Sequence, residues 1–289
     1  MYLNDIPTYA RFQWLNHPQI TNILSSFLKP ASRGRKGYDK VWMFRWLIYK
    51  HLMGCSYRDL ESMTNVDYST FIKFRQRLLL KRWFSRVFKI VTLSIGQSLD
   101  SITAIVDSSF VESYSKHSEQ GSEYSGYKQK NGFKLHQIID FKTRLPLVQV
   151  TSGGAKHDIV CGSKMIRAAP KSWKVKGLLG DKAYDGANFV SQIKRKWRNV
   201  KVGIPVRWTI HDAKEPFHPG TILNRLTKEA DRCLKRRFLN KRSEIERYFS
   251  RKKRVFNLGE ERTRHLKNFR ANCYMTSVME ILEWSTSPA

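Results

Sequence analysis

The sequence predicts a mixed α/β sheet flanked by helices and preceded by an all-helical region, and three observations predict it. From about Pro18 to Leu99 apolar residues recur at three- and four-residue steps, the spacing of helix faces. At Ile102 the texture changes to short β-branched runs, after which strand-like and helical stretches alternate as far as Pro205. Beyond Pro219 the chain turns helical again and strongly basic.

In the first region Val41, Phe44, Leu47, Ile48 and Leu52 mark one apolar face, and Gly54 ends that helix. Ser56 with Asp59 three residues on forms a capping pattern for a short helix, Tyr57 to Met63. A break at Thr64–Asp67 and a further helix over Tyr68–Leu80 follow. Two short helices around a tight break describe either a helix-turn-helix, with Lys73, Arg75 and Arg77 toward phosphates, or two members of a structural bundle.

Ile102–Val111 is apolar and β-branched around one acid, which suits a buried strand, whereas Glu112–Gly132 is rich in Ser, Gly, Tyr and Lys and predicts a long surface loop. Phe133–Asp140 and Leu145–Thr151, separated by Lys142–Arg144, predict a hairpin. A helix Ile159–Ala169, a strand Val175–Leu179, a helix Gly186–Arg198 and a strand Lys201–Pro205 complete the alternation. The last stretches are a basic helical run through Arg254 and an amphipathic helix Leu266–Trp284. The expected domains are therefore 1–99, helical, and 100–289, the mixed α/β domain with its C-terminal helices.

Lys and Arg total 53 against 24 acidic residues, a formal net charge of +29. A surplus of that size implies a polyanionic partner, since basic side chains gain affinity by releasing the counterions condensed on phosphates. Cys55, Cys161, Cys233 and Cys273 are scattered singly, which removes zinc-finger and disulfide-framework readings. Met1–Pro30 lacks the basic start and long apolar run of a secretory signal, and no stretch approaches the roughly 20 apolar residues of a membrane helix. A cytoplasmic, nucleoid-associated chain is expected.

Three acids stand out. Asp107 closes the apolar run Thr103–Val106, where a carboxylate is costly unless paired, hydrogen-bonded or bound to metal. Asp181 repeats the pattern after Val175, Leu178, Leu179 and Gly180, just before a helix. Acids at neighbouring strand ends repel, and a shared divalent cation turns that repulsion into coordination. Arg242, Glu246 and Lys253 are spaced by four and seven residues, which at about 3.6 residues per turn brings them to one helix face. The bland alternative there is a solvated ion pair of four-residue spacing.

Arg242, Glu246 and Lys253, read as R-x3-E-x6-K, resemble the signature of the DDE transposases of bacterial and archaeal insertion sequences, in the large group that includes insertion sequence five. Leu239 stands where that signature carries Tyr. Gly180-Asp181-Lys182-Ala183-Tyr184-Asp185 with Asn188 resembles the second-acid motif, and Val106-Asp107-Ser108-Ser109 the first-acid strand. Lys134-Leu135-His136 and Ala155-Lys156-His157-Asp158 resemble the intervening segments. The resemblance spans roughly Ile102 to Phe256. It implies a ribonuclease-H-like core and an enzyme that cuts and joins DNA. Asp107, Asp181 and Glu246 would be both the catalytic and the metal-binding residues, holding two Mg2+ ions that Mn2+ can replace. It also implies double-stranded DNA as partner, both terminal inverted repeats and target, and action as a homodimer away from membranes.

Within that reading Arg242 and Lys253 hold DNA beside Glu246, and Tyr184 stacks on or positions a DNA end. His136 is expected to be structural, while Asp158 is either a fourth acid of the site or a helix cap. A basic track would run through Lys194, Arg195, Lys196, Arg198 and Lys201, then Lys235, Arg236, Arg237, Lys241, Arg247 and Arg251 to Arg254, with Trp197, Trp208, Phe217 and Tyr248 near it. The competing functions are a nuclease of the same fold that does not join strands and a binding protein without catalysis. The second competitor has no use for three acids in a cationic setting.

Overall fold

A computed structural model of the 289-residue chain describes residues 10–29, 37–114, 119–207, 214, 216–259 and 264–286. Trp208 lies outside the described residues. Contacts divide the chain into two units: residues 1–89, 252–262 and 271–289 form one, and 90–251 with 263–270 the other.

The first unit is helical: α1 (Pro18–Phe27), α2 (Lys40–Met53), α3 (Tyr57–Thr64), α4 (Tyr68–Leu80) and the start of α5 (Trp83–Ser98). Gly54 takes the left-handed conformation at φ 65° that ends α2. Ser56 and Asp59 form a reciprocal capping box, each side chain accepting the other's backbone N–H, and so start α3. The unit is completed by C-terminal sequence, which is why its extent differs from 1–99. Fully buried Lys252 donates to Glu280 at 2.7 Å and to Ser277 at 2.8 Å. Asn257 donates to the carbonyls of His51 and Leu52, and Arg75 donates to Asn272 Oδ1 at 2.8 Å.

The second unit is built on a mixed six-stranded sheet: β1 (Ile102–Glu112), β2 (Glu123–Ser125), β3 (Lys130–Asp140), β4 (Pro146–Gly153), β5 (Val175–Gly180) and β6 (Lys201–Gly203). The order runs β2-β3-β1-β5-β6, with β4 also paired to β3. β1 is antiparallel to β3 and parallel to β5, and β5 is parallel to β6. An antiparallel meander joined to parallel strands by helical crossovers is the ribonuclease-H-like arrangement that the sequence leads one to expect. The crossovers are α6 (Asp158–Ala168) and α7 (Ala187–Lys196).

The central strand is buried as far as Val106, with α6 packed against it: Ile102, Ala104, Ile105 and Val106 are buried, as are Leu178 and Leu179 on β5. The stretch expected to be one long loop, Glu112–Gly132, contains β2 and the beginning of β3. The basic C-terminal run is not one helix but four pieces: α8 (Pro219–Ala230), α9 (Arg236–Leu239), a 3-10 turn (Asn240–Arg242) and α10 (Ser243–Val255). The last helix is α11 (His265–Thr286). Among the described residues no helix is long and apolar enough to cross a membrane.

Candidate active site

Asp107 is placed by the β1 ladder. Val106 pairs with Gly180 on parallel β5, so Asp107, where β1 runs on beyond that pairing, and Asp181, which follows the end of β5, are neighbours at the carboxyl-terminal end of the parallel pair. The buried run of β1 ends at Val106, and Asp107 emerges partly buried, with Oδ1 accepting the Ser108 N–H at 2.7 Å. Burial raises its carboxyl pKa to about 7, and the charges of Asp181 and Asp158 push the same way against the Ser108 N–H and the Arg242 guanidinium. A carboxylate held there is stabilised by any cation that reaches it. Asp181 caps the 3-10 turn Lys182–Tyr184, accepting the Ala183 N–H at 2.8 Å.

Glu246 sits in the first turn of α10 with its side chain 62% exposed, and Arg242 Nη2 lies 3.3 Å from its Oε1. Arg242 thus serves two acids, Glu246 by contact and Asp107 through its charge. Its placement begins with two glycines on the sheet. A Cβ on Gly177 would come within 2.8 Å of the Phe238 ring, and one on Gly203 also within 2.8 Å. Their absence lets Phe238 of α9 lie on β5 and β6, which brings the Asn240–Arg242 turn to β5. Lys253 follows on α10 and is exposed.

The acids do not form a tight cluster. Among the described residues no three His, Cys, Asp or Glu side chains converge closely enough to hold a metal ion as they stand. Asp107 and Asp181 are brought together, and Glu246 is joined to Asp107 by way of Arg242. The physical reason is plain: a third carboxylate facing two others raises the energy, and a guanidinium between them lowers it.

Asp158 is not a helix cap. Although it opens α6, its Oδ1 accepts from Ser108 Oγ at 3.0 Å and Lys134 Nζ at 3.1 Å, and lies 3.6 Å from His136 Nδ1. It ties α6 to β1 and β3 beside Asp107. His136 is fully buried and bonds Ser152 Oγ through Nε2 at 2.9 Å; burial lowers its pKa to about 4 against the pull of Asp158, so the ring is neutral.

Three expectations are corrected. Tyr184 is fully buried against Phe189, and its hydroxyl has no hydrogen-bond partner among the described residues. Such a ring has no face to offer a DNA base. Lys252 belongs to the interior ion pair with Glu280 and leaves the basic track. Arg75 is half-buried and bound to Asn272, whereas Lys73 and Arg77 on the same helix are exposed. Trp197 and Tyr248 are core residues, and Phe217 is exposed. The sequence reading missed the buried pair of Arg232 and Asp185: Arg232 also donates to the Ile204 carbonyl at 2.9 Å, and Asp185 accepts the Arg207 N–H at 2.7 Å. The pair fixes the end of the second-acid motif to the strand-end loop after β6.

Two neighbouring carboxylates on a mixed sheet, one of them desolvated, in a chain of net charge +29, are the features that the family comparison bears on. A model of the transposase DDE domain family matches residues 99–279, well over half of the chain, and the chain belongs to that family. It is a DNA transposase whose chemistry depends on divalent metal ions. Eight chains of solved structures are similar to it. One is the cryo-EM structure of a piggyBac transposase synaptic complex with hairpin DNA, at 11% identity and a TM-score of 0.49, covering 94% of this chain and 71% of that one. A likeness of that size adds nothing to the family assignment. No curated protein sequence matches.

Proposed function

We propose that this transposase binds the terminal inverted repeats of an insertion sequence as a homodimer and cuts and joins strands at a site made by Asp107, Asp181 and Glu246. The observation that carries this reading is the parallel pairing of Val106 with Gly180, which makes the residues that follow them, Asp107 and Asp181, neighbours, while burial raises the Asp107 carboxyl pKa to about 7. The donor set fits Mg2+: hard carboxylate oxygens, one of them desolvated beside a second carboxylate. Asp107 would be the shared ligand, with Asp181 and Glu246 each completing one ion. Bound there, the ions supply a metal-activated water or 3′-hydroxyl and charge for the leaving oxygen.

The chain's own residues do the rest. Arg242 turns from Glu246 toward the scissile phosphate and adds positive charge where negative charge develops. Freed by that turn, Glu246 moves toward Asp107. Lys253 holds the neighbouring phosphate. Asp158 locks the peptide after Asp107 through Ser108 and holds Lys134 in place. The α3–α4 pair acts as a helix-turn-helix whose exposed Lys73 and Arg77 contact backbone phosphates.

The test is a set of conservative variants on DNA carrying the element ends. Asp107→Asn, Asp181→Asn and Glu246→Gln are each expected to abolish Mg2+-dependent cleavage and joining while leaving DNA binding in place. Retained cleavage in any one of them removes that residue from the site.

A further inference from the structure

The β2–β3 hairpin extends past the sheet and puts aromatic rings into solvent. Its apex, Gly126–Gln129, is closed by the Gln129 N–H donating to the Ser125 carbonyl at 2.7 Å. Tyr127 at the tip is 90% exposed and Tyr124 on β2 is 56% exposed. Lys128 Nζ stands 5.0 Å from the Tyr127 ring centroid, and Lys130 pairs with Glu112 at 2.6 Å. On the other side of β3 the Ser113 N–H donates to the carbonyl of Asn131, the residue opposite Tyr124. Half-exposed Tyr114 follows, with the Arg264 guanidinium 6.0 Å from its ring.

The base of this hairpin is seated tightly. A Cβ on Gly153 would fall 2.3 Å from the Glu123 side chain, one on Gly154 2.6 Å from the Glu123 carbonyl, and one on Gly132 2.3 Å from the Val111 carbonyl. Glu123 also accepts the Ala155 N–H at 3.2 Å. Three close approaches therefore hold a ribbon whose tip gives nothing to the core. Exposed tyrosines with lysines beside them have the chemistry of a stacking surface for nucleic-acid bases, with charge for the backbone. A protein partner would call for a contiguous apolar patch, and these rings are spaced along a narrow polar ribbon.

The place of the hairpin matters as much as its composition. Glu112 comes five residues after Asp107 on β1 and pairs with Gly132, which pairs with Glu123 in turn. Adding the two residues from Gly132 to Lys130, at about 3.3 Å per residue, puts the apex roughly 20 Å or more beyond Asp107, at the same end of β1. We propose that this hairpin holds the DNA strand leaving the carboxylate site by stacking its unpaired bases on Tyr124 and Tyr127. The proposal rests on the reading that the chain acts on DNA at Asp107.

The experiment compares binding of two probes to the full chain without divalent ions: a blunt duplex, and the same duplex with a single-stranded tail carrying 2-aminopurine. Wild type is expected to prefer the tailed probe and to quench the 2-aminopurine. Tyr124→Ala and Tyr127→Ala should each weaken tailed-probe binding by about tenfold, leave the blunt duplex unaffected, and leave the unfolding midpoint unchanged; Tyr127→Phe should retain binding. Lys128→Ala should instead reduce the salt dependence on both probes. Equal affinity of the alanine variants and wild type for the tailed probe overturns the proposal, as does a wild-type preference for the blunt duplex. Wild type that binds neither probe overturns the DNA reading along with it.

Discussion

Arg242 Nη2 stands 3.3 Å from Glu246 Oε1 while its charge also lowers the carboxyl pKa of Asp107. One guanidinium therefore joins the helix-borne acid to the strand-borne pair. Removing it leaves Asp107 facing Asp181 and Asp158 without that compensation. Arg242→Ala is expected to raise the Asp107 pKa above about 7 and to lower cleavage by about tenfold or more. The slope of log affinity for DNA against log salt should also shrink by about one. Cleavage rate and salt slope measured side by side check both; if neither changes, Arg242 is a surface ion pair only.

The raised carboxyl of Asp107 carries a stability signature. An unfolded aspartate titrates near 4, whereas the folded one titrates at about 7, so between those values the native chain holds a proton that the unfolded chain has lost. Its contribution is complete below about pH 4 and is lost as pH rises through 7, on the order of a few kcal/mol in all. Urea unfolding without divalent ions should show this fall, and Asp107→Asn should flatten it. Added Mg2+ should stabilise most above pH 7, where it no longer competes with the proton.

Asp185 and Arg232 form an ion pair with both side chains almost wholly buried. Asp185→Asn leaves the guanidinium uncompensated and should cost about 3–5 kcal/mol in urea unfolding. A loss below about 1 kcal/mol would place the pair in solvent.

Tyr184 separates a packing role from a DNA-contacting one. Its hydroxyl is buried without a partner among the described residues, and burial raises its pKa well above the usual tyrosine value, so it stays neutral. Tyr184→Phe should be neutral to slightly stabilising with cleavage intact, whereas Tyr184→Ala should cost about 3–5 kcal/mol. A loss of DNA affinity in the Phe variant at unchanged stability would restore a DNA-positioning role through the hydroxyl.

Gly203 and Phe238 are a steric pair, since a Cβ at 203 meets both the Phe238 ring and Leu179 Cδ2. Gly203→Ala should destabilise by about 1–3 kcal/mol and lower cleavage by shifting the turn that carries Arg242. Phe238→Leu in the same chain should recover part of both, as judged by unfolding and rate measurements.

The carboxylate strands were legible because their signal is local: a single acid interrupts an apolar β-branched run, and Asp107 and Asp181 each close such a run. The Ser56–Asp59 capping box was legible for the same reason. What stayed hidden depends on distant partners. Lys252 looks like a solvated helix residue until Ser277 and Glu280 close over it. Arg232 has no local mark that Asp185 is its partner. β2 is three residues long, too short for alternation to register. The breaks between α8, α9 and α10 are filled with basic residues that favour helices everywhere. The position of Glu246 beyond Arg242 follows from electrostatics among side chains, which spacing does not encode.

In the proposed mechanism Asp107, Asp181 and Glu246 share divalent ions when DNA is bound. Fe2+ in place of Mg2+, with ascorbate and peroxide, cleaves the polypeptide around the site it occupies, and the fragment ends of the DNA-bound chain map that site. The account predicts cuts near residues 107, 181 and 246, all lost in Asp107→Asn. Cuts at the first two positions with none near 246 would contradict it.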